Sequence, residues 1–293
     1  MATALQHRTI QLGPSSITAI VDVTTPWPML PVNGEVWDKV RESYPSSFYN
    51  AETLLGRVHC YLIQQAERTI LVDTGLGKAP APVQPLSSQQ LEAQLAVLGV
   101  DPATIDTVFL THVHVDHVGL NTHYVDGTLQ ARFPNARYLA HQAEKGLIAF
   151  MQQHSPERAG YLQDQVLWLE AQGRLEFFDA DFELAEGITT WFTPGHSPGH
   201  TALVIDHGTG ERVLLAGDIF FNPIQMFEPS FATGLDVDSD QAHATRLAVL
   251  GQVSDGKTLV APCHFPTPSF GYVVPEGATY RWLPIEDELV RSV

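Results

Sequence analysis

Residues 111–119 read THVHVDHVG, which sets His112, His114, Asp116 and His117 directly after the apolar run TVFL. Neutral imidazole and carboxylate are ligands that suit zinc and other borderline divalent cations. His112 and His114 stand two apart, so a chain leaving a strand into a tight loop can aim both at one ion, while Asp116 and His117 on the following turn can face a second. Three more candidates follow later apolar runs: ITTWF leads through TPG to His196, VLLAG leads to Asp218, and TLVAP leads through Cys263 to His264. Taken singly, each has a duller account. A histidine after a strand is usually satisfied by one hydrogen bond, and an aspartate after a glycine is usually a turn or cap residue. As a set they read as a metal site, in which a carboxylate such as Asp218 can bridge two ions.

Such a site needs elements that bring distant residues together. Strands that run the same way in one sheet finish at the same edge, so side chains just past their carboxyl ends can converge. ITAIVDV (17–23), VHCYLI (58–63) and TILVDTG (69–75) are short, β-branched runs bounded by turn formers, as strands should be. SSQQLEAQLAVLG, from Ser87, opens with N-cap residues and ends in Gly99, with Leu91, Leu95 and Leu98 at helix spacing. Further helices are expected near His141 (HQAEKGLIAFMQQ) and over DSDQAHATRLAVLGQV, where Asp238 or Ser239 could cap. Strands and helices alternate, so the chain is α/β. With 293 residues, 44% of them hydrophobic, it is expected to form one domain over 1–293. The stretch 24–50, TTPWPMLPVNGEVWDKVRESYPSSFYN, reads as a long ordered loop with about one helical turn. Its Trp27, Met29 and Phe48, like Trp37 and Tyr49, are expected either to line a substrate pocket or to cover an edge of the core.

Composition excludes several functions. Sixteen Lys and Arg stand against thirty-three Asp and Glu, and a formal charge of -17 repels phosphate backbones and anionic membranes. No nucleic-acid or membrane partner is expected. The opening MATALQHRTIQLG lacks the pattern of an export signal, which predicts a cytoplasmic protein. Cys60 and Cys263 cannot build a disulfide framework and read as small buried apolar residues.

The chain resembles the metallo-β-lactamase-fold hydrolases through HVHVDH at 112–117, TPGHSPGH at 193–200, Gly217-Asp218, His264 and the upstream LVDTG at 71–75, so that the likeness runs over nearly its whole length. That resemblance implies an αβ/βα sandwich of two mixed sheets flanked by helices. It puts His112, His114 and His196 on one metal and Asp116, His117 and His264 on the other, with Asp218 bridging. His200 matches a supporting position, and Asp73 an acidic residue below the site that orients a ligand. Within the family, VDHVGLNTHYVDGTLQARFPNARY, GDIFFNPIQMFEP and CHFPTPSFGYV look most like the branch of methyl parathion hydrolases and related lactonases. By that analogy Phe220, Phe221, Met226 and Phe227 line the pocket, with core packing as the competing use of at least two of them.

Two divalent ions, zinc first and manganese, iron or cobalt as alternatives, would share a water and lower its pKa toward neutrality, giving a hydroxide nucleophile. Asp116 could accept or relay the proton. The expected activity is hydrolysis of lactones or carboxylic esters, acyl-homoserine lactones among them, with phosphotriesters as a side activity. A phosphotriesterase proper is the enzymatic alternative, and a metal-binding scaffold without turnover is the alternative of another class. Histidine at 114 argues against the di-iron redox branch, Asp218 against zinc β-lactamases, and the twenty-nine residues after His264 against a helical glutathione-binding domain. The partner expected is a small-molecule substrate, and the aromatic loop could equally serve a homodimer contact.

Overall fold

In a computed structural model describing residues 7–27, 34–77, 90–267 and 269–285, two mixed β-sheets lie face to face with helices on both outer sides. The first sheet runs His7–Leu12, Ser15–Trp27, Thr53–Gln65, Arg68–Val72, Thr107–Phe109, Arg137–His141 and Leu175–Phe178, with Phe48–Asn50 paired beside Thr53–Gln65. Its first four strands pair antiparallel; from Arg68–Val72 onward the pairing is parallel. The second sheet runs Glu183–Ala185, Ile188–Phe192, Thr201–Asp206, Arg212–Gly217, Thr258–Pro262, Gly271–Glu276 and Thr279–Pro284. Only Arg212–Gly217 and Thr258–Pro262 pair parallel there.

Side-chain alternation builds the layers. Tyr61 and Ile63 point between the sheets, where they and Ile17, Val72 and Phe109 meet Ile188, Leu203, Val213 and Leu215. Cys60 and Leu62 point the other way, onto Leu91, Leu95, Leu147, Ile148 and Leu169. On the second sheet Leu214 and Ala216 face outward against Trp37, Val40, Val249 and Leu250. Both faces of the central strands are therefore covered, which is why VHCYLI and VLLAG read as unbroken apolar runs. The result is the αβ/βα sandwich.

Strand direction then delivers the candidate ligands. Ile188–Phe192 is antiparallel to Thr201–Asp206, which is antiparallel to Arg212–Gly217, which is parallel to Thr258–Pro262. All three ligand-bearing strands of the second sheet thus run one way. The loop after Thr107–Phe109 joins them through the backbone bond from Thr201 N to Thr111 O (2.9 Å).

The described residues of the stretch 24–50 are more regular than its prolines suggest. Strand Ser15–Trp27 continues through Pro26, and a helix covers Glu35–Ser43. Trp37 and Val40, with Tyr44 at the C-cap, are buried at spacings of three and four and give that helix an inward face. Met29 lies outside the described residues, as do Ser87 and Ser88; the expected helix there is seen over Gln90–Val97. The helix near His141 begins at Glu144, because His141 closes a strand, and Asp238 caps Ser239–Val253 by accepting from Gln241 N.

One turn clamps the histidine-rich loop. Asp22, at a bulge between Val21 and Val23, accepts from Leu76 N (2.9 Å) and Leu91 N (3.0 Å). The turn it fixes receives Gly119 N at Gly75 O (2.7 Å) and donates Thr74 N to His117 O (2.8 Å). A Cβ on Gly119 would stand 2.0 Å from Leu76 O, a backbone atom with no freedom to rotate aside. Gly119→Ala is therefore expected to cost about 3 kcal/mol, the upper end for overpacking. Urea unfolding measures it, and wild-type stability would contradict this account of the clamp.

Candidate metal centre

Two groups of side chains converge where the strand ends meet. In the first, His112 Nε2 and His196 Nε2 each lie 2.9 Å from His114 Nδ1. In the second, Asp218 Oδ2 is 3.0 Å from His264 Nε2, and Asp218 Oδ1 is 3.4 Å from His117 Nε2. Asp218 Oδ2 also stands 3.3 Å from His196 Nε2, so this one carboxylate faces both groups. Asp116 Oδ2 sits at the rim, 3.6 Å from His264 Nε2 and 3.9 Å from His117 Nε2. All seven sequence-derived candidates are thus brought together.

The outer hydrogen bonds decide which ring nitrogens are free. Thr111 Oγ1 donates to Asp73 Oδ2 (2.8 Å), so its lone pair accepts from His112 Nδ1–H at 3.1 Å. His117 Nδ1–H donates to Asp73 Oδ2 (2.7 Å) and His264 Nδ1–H to Arg57 O (2.6 Å). His196 Nδ1–H donates to Asp236 Oδ1 (3.2 Å). With their outer nitrogens occupied as donors, His112, His117, His196 and His264 all aim Nε2 inward. Imidazole nitrogens and carboxylate oxygens packed this closely are a donor set that a divalent cation can occupy in place of the protons they otherwise share. Two further observations fit one: His117 Nε2 and Asp218 Oδ1 are buried with no hydrogen-bond partner.

His200 has a different task. Its Nε2 accepts from Asp218 N–H (2.9 Å), which leaves Nδ1–H to donate to Thr193 Oγ1 (2.8 Å). It holds the backbone of Asp218. The space is tight, since a Cβ on Gly217, at φ 50°, would lie 2.6 Å from His200 Nε2.

The electrostatics divide the two groups. Burial, reinforced by His117, His114 and His196, pushes His112 well below its ordinary pKa, and burial followed by His196 brings His114 down to about 3. Burial also opposes charge on His117 and His264, yet Asp218, assisted by Asp116 and at His117 also by Asp73, holds both above the usual histidine value. Burial alone would raise Asp218 too, but His264, His117 and His196 keep it well below the carboxylate range. Positive charge is therefore drawn to the second group, where the carboxylates are.

Cys263 also faces that group: its sulfur lies within 4.8 Å of ligand atoms of His117, Asp218 and His264. Burial pushes its thiol up, and the S–H donates to His59 O at 3.3 Å. A neutral, engaged thiol is a poorer ligand than the carboxylate of Asp116.

Several supports have no counterpart in the sequence reading. Glu144, at the start of helix Glu144–His154, accepts from Val113 N (3.0 Å), Ser197 Oγ (2.6 Å) and Gly199 N (2.7 Å), tying the two histidine loops together. Tyr161 donates to Val113 O (2.9 Å). Asp236 and Arg246 stand behind His196.

The pocket expectation divides. Trp27 and Phe221 flank His264, with ring centroids 5.3 and 4.7 Å from it and 4.4 Å from each other. Phe220 and Met226 are fully buried in the outer core of the second sheet, which Phe221 also joins. The reason is local: Gln225 Oε1 accepts from Phe221 N (2.7 Å), and the short helix Ile224–Phe227 folds the segment down onto that core. Phe227 leans on Tyr44, and Phe48 packs on Trp37 with Arg41 over its ring.

A family model described as the Metallo-beta-lactamase superfamily matches residues 54–264. The chain is similar to an N-acyl homoserine lactonase of Bacillus cereus, 26% identical over 193 residues that span 61% of this chain and 70% of that protein. It is also similar to a hydroxyacylglutathione hydrolase of Thermosynechococcus vestitus, 32% identical over 169 residues, 57% of this chain and 54% of that protein. Among solved structures, AidC, a dizinc quorum-quenching lactonase in complex with a product, matches with a TM-score of 0.81 at 23% identity, covering 96% of this chain and 97% of that one. At that level of identity the likeness is one of fold.

Proposed function

Because the chain belongs to the metallo-beta-lactamase superfamily, we propose that it is a metal-dependent hydrolase of lactones or carboxylic esters, with N-acyl homoserine lactones as the first substrate class to test. The observation that supports this most is the set of inward-aimed imidazole nitrogens gathered around Asp218. The substrate class is suggested by relatives that are N-acyl homoserine lactonases.

In this reading His112, His114 and His196 hold one divalent ion, Asp116, His117 and His264 hold the other, and Asp218 lies between them. The nitrogen and oxygen donors suit zinc, and admit manganese, iron or cobalt. When bound, such ions supply Lewis acidity and a water acidified toward neutral pH. The chain's own residues do the rest. Asp73 fixes the ring of His117, and through Thr111 that of His112. His200 keeps the Asp218 backbone in place. Asp116, whose side chain is 21% exposed while that of Asp218 is 3% exposed, is the carboxylate placed to take a proton at Oδ2 and pass it to solvent. Trp27 and Phe221 offer an apolar wall to the part of the substrate that does not react. Among the described residues, no helix is long and apolar enough to cross a membrane.

Metal analysis of the purified chain should find about two ions. A chelator should abolish lactone hydrolysis, and added zinc should restore it; full activity without metal would overturn the proposal. Comparing kcat/KM over lactones, aryl esters and phosphotriesters separates the alternatives. A preference for phosphotriesters identifies a phosphotriesterase, and bound metal with no turnover on any of the three identifies a scaffold.

A further inference from the structure

Helix Ser239–Val253 buries Ala242, Arg246, Val249, Leu250 and Val253, one stripe along its length. Four of these are apolar and the fifth carries a guanidinium whose side chain is 1% exposed. A leucine or methionine would fill such a position without taking a charge out of water, and a buried ion pair is weak evidence for stability. Arg246 therefore calls for an account of what it holds.

Its donors answer that. Nη1 and Nη2 both donate to Asp236 Oδ2 at 3.2 Å, and Nε donates to Pro229 O at 2.8 Å. The other oxygen of Asp236 accepts from His196 Nδ1–H. The same helix is a platform for the loop that carries His196. Val237 N donates to His196 O and Asp238 N to Gly195 O, both at 3.0 Å. Thr245 Oγ1 donates to Pro194 O at 2.6 Å. A Cβ on Gly195, at φ 132°, would lie 2.3 Å from Ala242 N, so the loop rests directly on the first turn of the helix.

We infer that Arg246 and Asp236 are positioning residues that fix the tautomer and aim of His196, and so set the affinity of one ion of the pair independently of the other. This rests on reading His196 as a ligand. The carboxylate holds the proton on Nδ1, which leaves Nε2 as a lone pair; the guanidinium holds the carboxylate. In the second group Asp73 and the Arg57 carbonyl do the equivalent work for His117 and His264, so the Arg246–Asp236 pair acts on the first group alone.

The test is stepwise zinc affinity of the full chain, measured by competition with a chromophoric chelator, for wild type, Asp236→Asn, Arg246→Met and Arg246→Lys. Loss of an outer-sphere partner typically weakens metal binding about 10–100-fold, so one ion of Asp236→Asn and of Arg246→Met should weaken by that factor while the other stays within about threefold. Arg246→Lys, keeping the charge but losing the fork, should fall between. Thermal unfolding of the metal-free variants shows that each is folded. If both affinities are unchanged in Asp236→Asn, or both fall in parallel, the inference fails while the ligand reading stands. If the wild-type chain takes up no zinc, the ligand reading itself fails, and the inference with it.

Discussion

Asp218→Ala is expected to lower kcat/KM for a simple lactone by roughly a thousandfold or more, and to leave the purified chain with fewer than two ions. The carboxylate faces both groups of histidines, at 3.3 Å from His196 Nε2 and 3.0 Å from His264 Nε2, so its removal withdraws a ligand from each at once. Charge stabilisation by bound metal is worth several kcal/mol in a hydrolytic transition state, and each loss of about 1.4 kcal/mol is tenfold in rate. The substitution also strips His117 and His264 of the carboxylate that most strongly favours positive charge on them. His200→Ala is the control. It leaves Asp218 N–H without its acceptor, which costs about 1–3 kcal/mol of stability but removes no inward lone pair. Its rate should fall by far less. Near-wild-type rates in both variants would sink the assignment of Asp218.

How legible each part was in the sequence follows from what constrains it. The seven inward-facing residues were legible because each stands just past an apolar run, and strand direction does the convergence. The supports were not. Glu144 touches residues on either side of it in sequence, 31 positions back to Val113 and 53 forward to Ser197, and nothing local distinguishes it from any other glutamate opening a helix. Arg246 did leave a trace: it falls on the stripe of Ala242, Val249, Leu250 and Val253, where a surface charge has no place. Helix Glu35–Ser43 was hidden by its setting, with Pro28 and Pro31 before it and Pro45 after, although Trp37, Val40 and Tyr44 carry the period. Phe220 and Met226 take the core-packing use that stood beside the pocket analogy. In FFNPIQMF five of the eight residues are large and apolar, and the side-chain bonds of Gln225 and Asn222 shape the turn that sends some of them into the core.

The same layering makes Glu144→Ala the most damaging change outside the inward-facing set. Glu144 is fully buried, and burial pushes its carboxyl up even though Ser197, Val113 and Gly199 donate to it. Alanine would strand those three donors around a new cavity. Leaving a buried donor unsatisfied costs about 1–3 kcal/mol, so stranding three of them should cost several kcal/mol. Because the three donors belong to the loops that carry His112, His114 and His196, the loss should spread from stability to metal binding, with the first ion weakened before the second. Glu144→Gln separates the two effects. Its carbonyl can still accept from Ser197 and Gly199, while its amide turns a donor toward Val113 N–H, so it should recover part of the stability but not all of it. Denaturant unfolding of the metal-free chains and zinc stoichiometry of the loaded ones measure the two effects separately. An alanine variant as stable as wild type, or one that loses stability yet keeps both ions at wild-type affinity, would show that the histidine loops hold their places without this carboxylate.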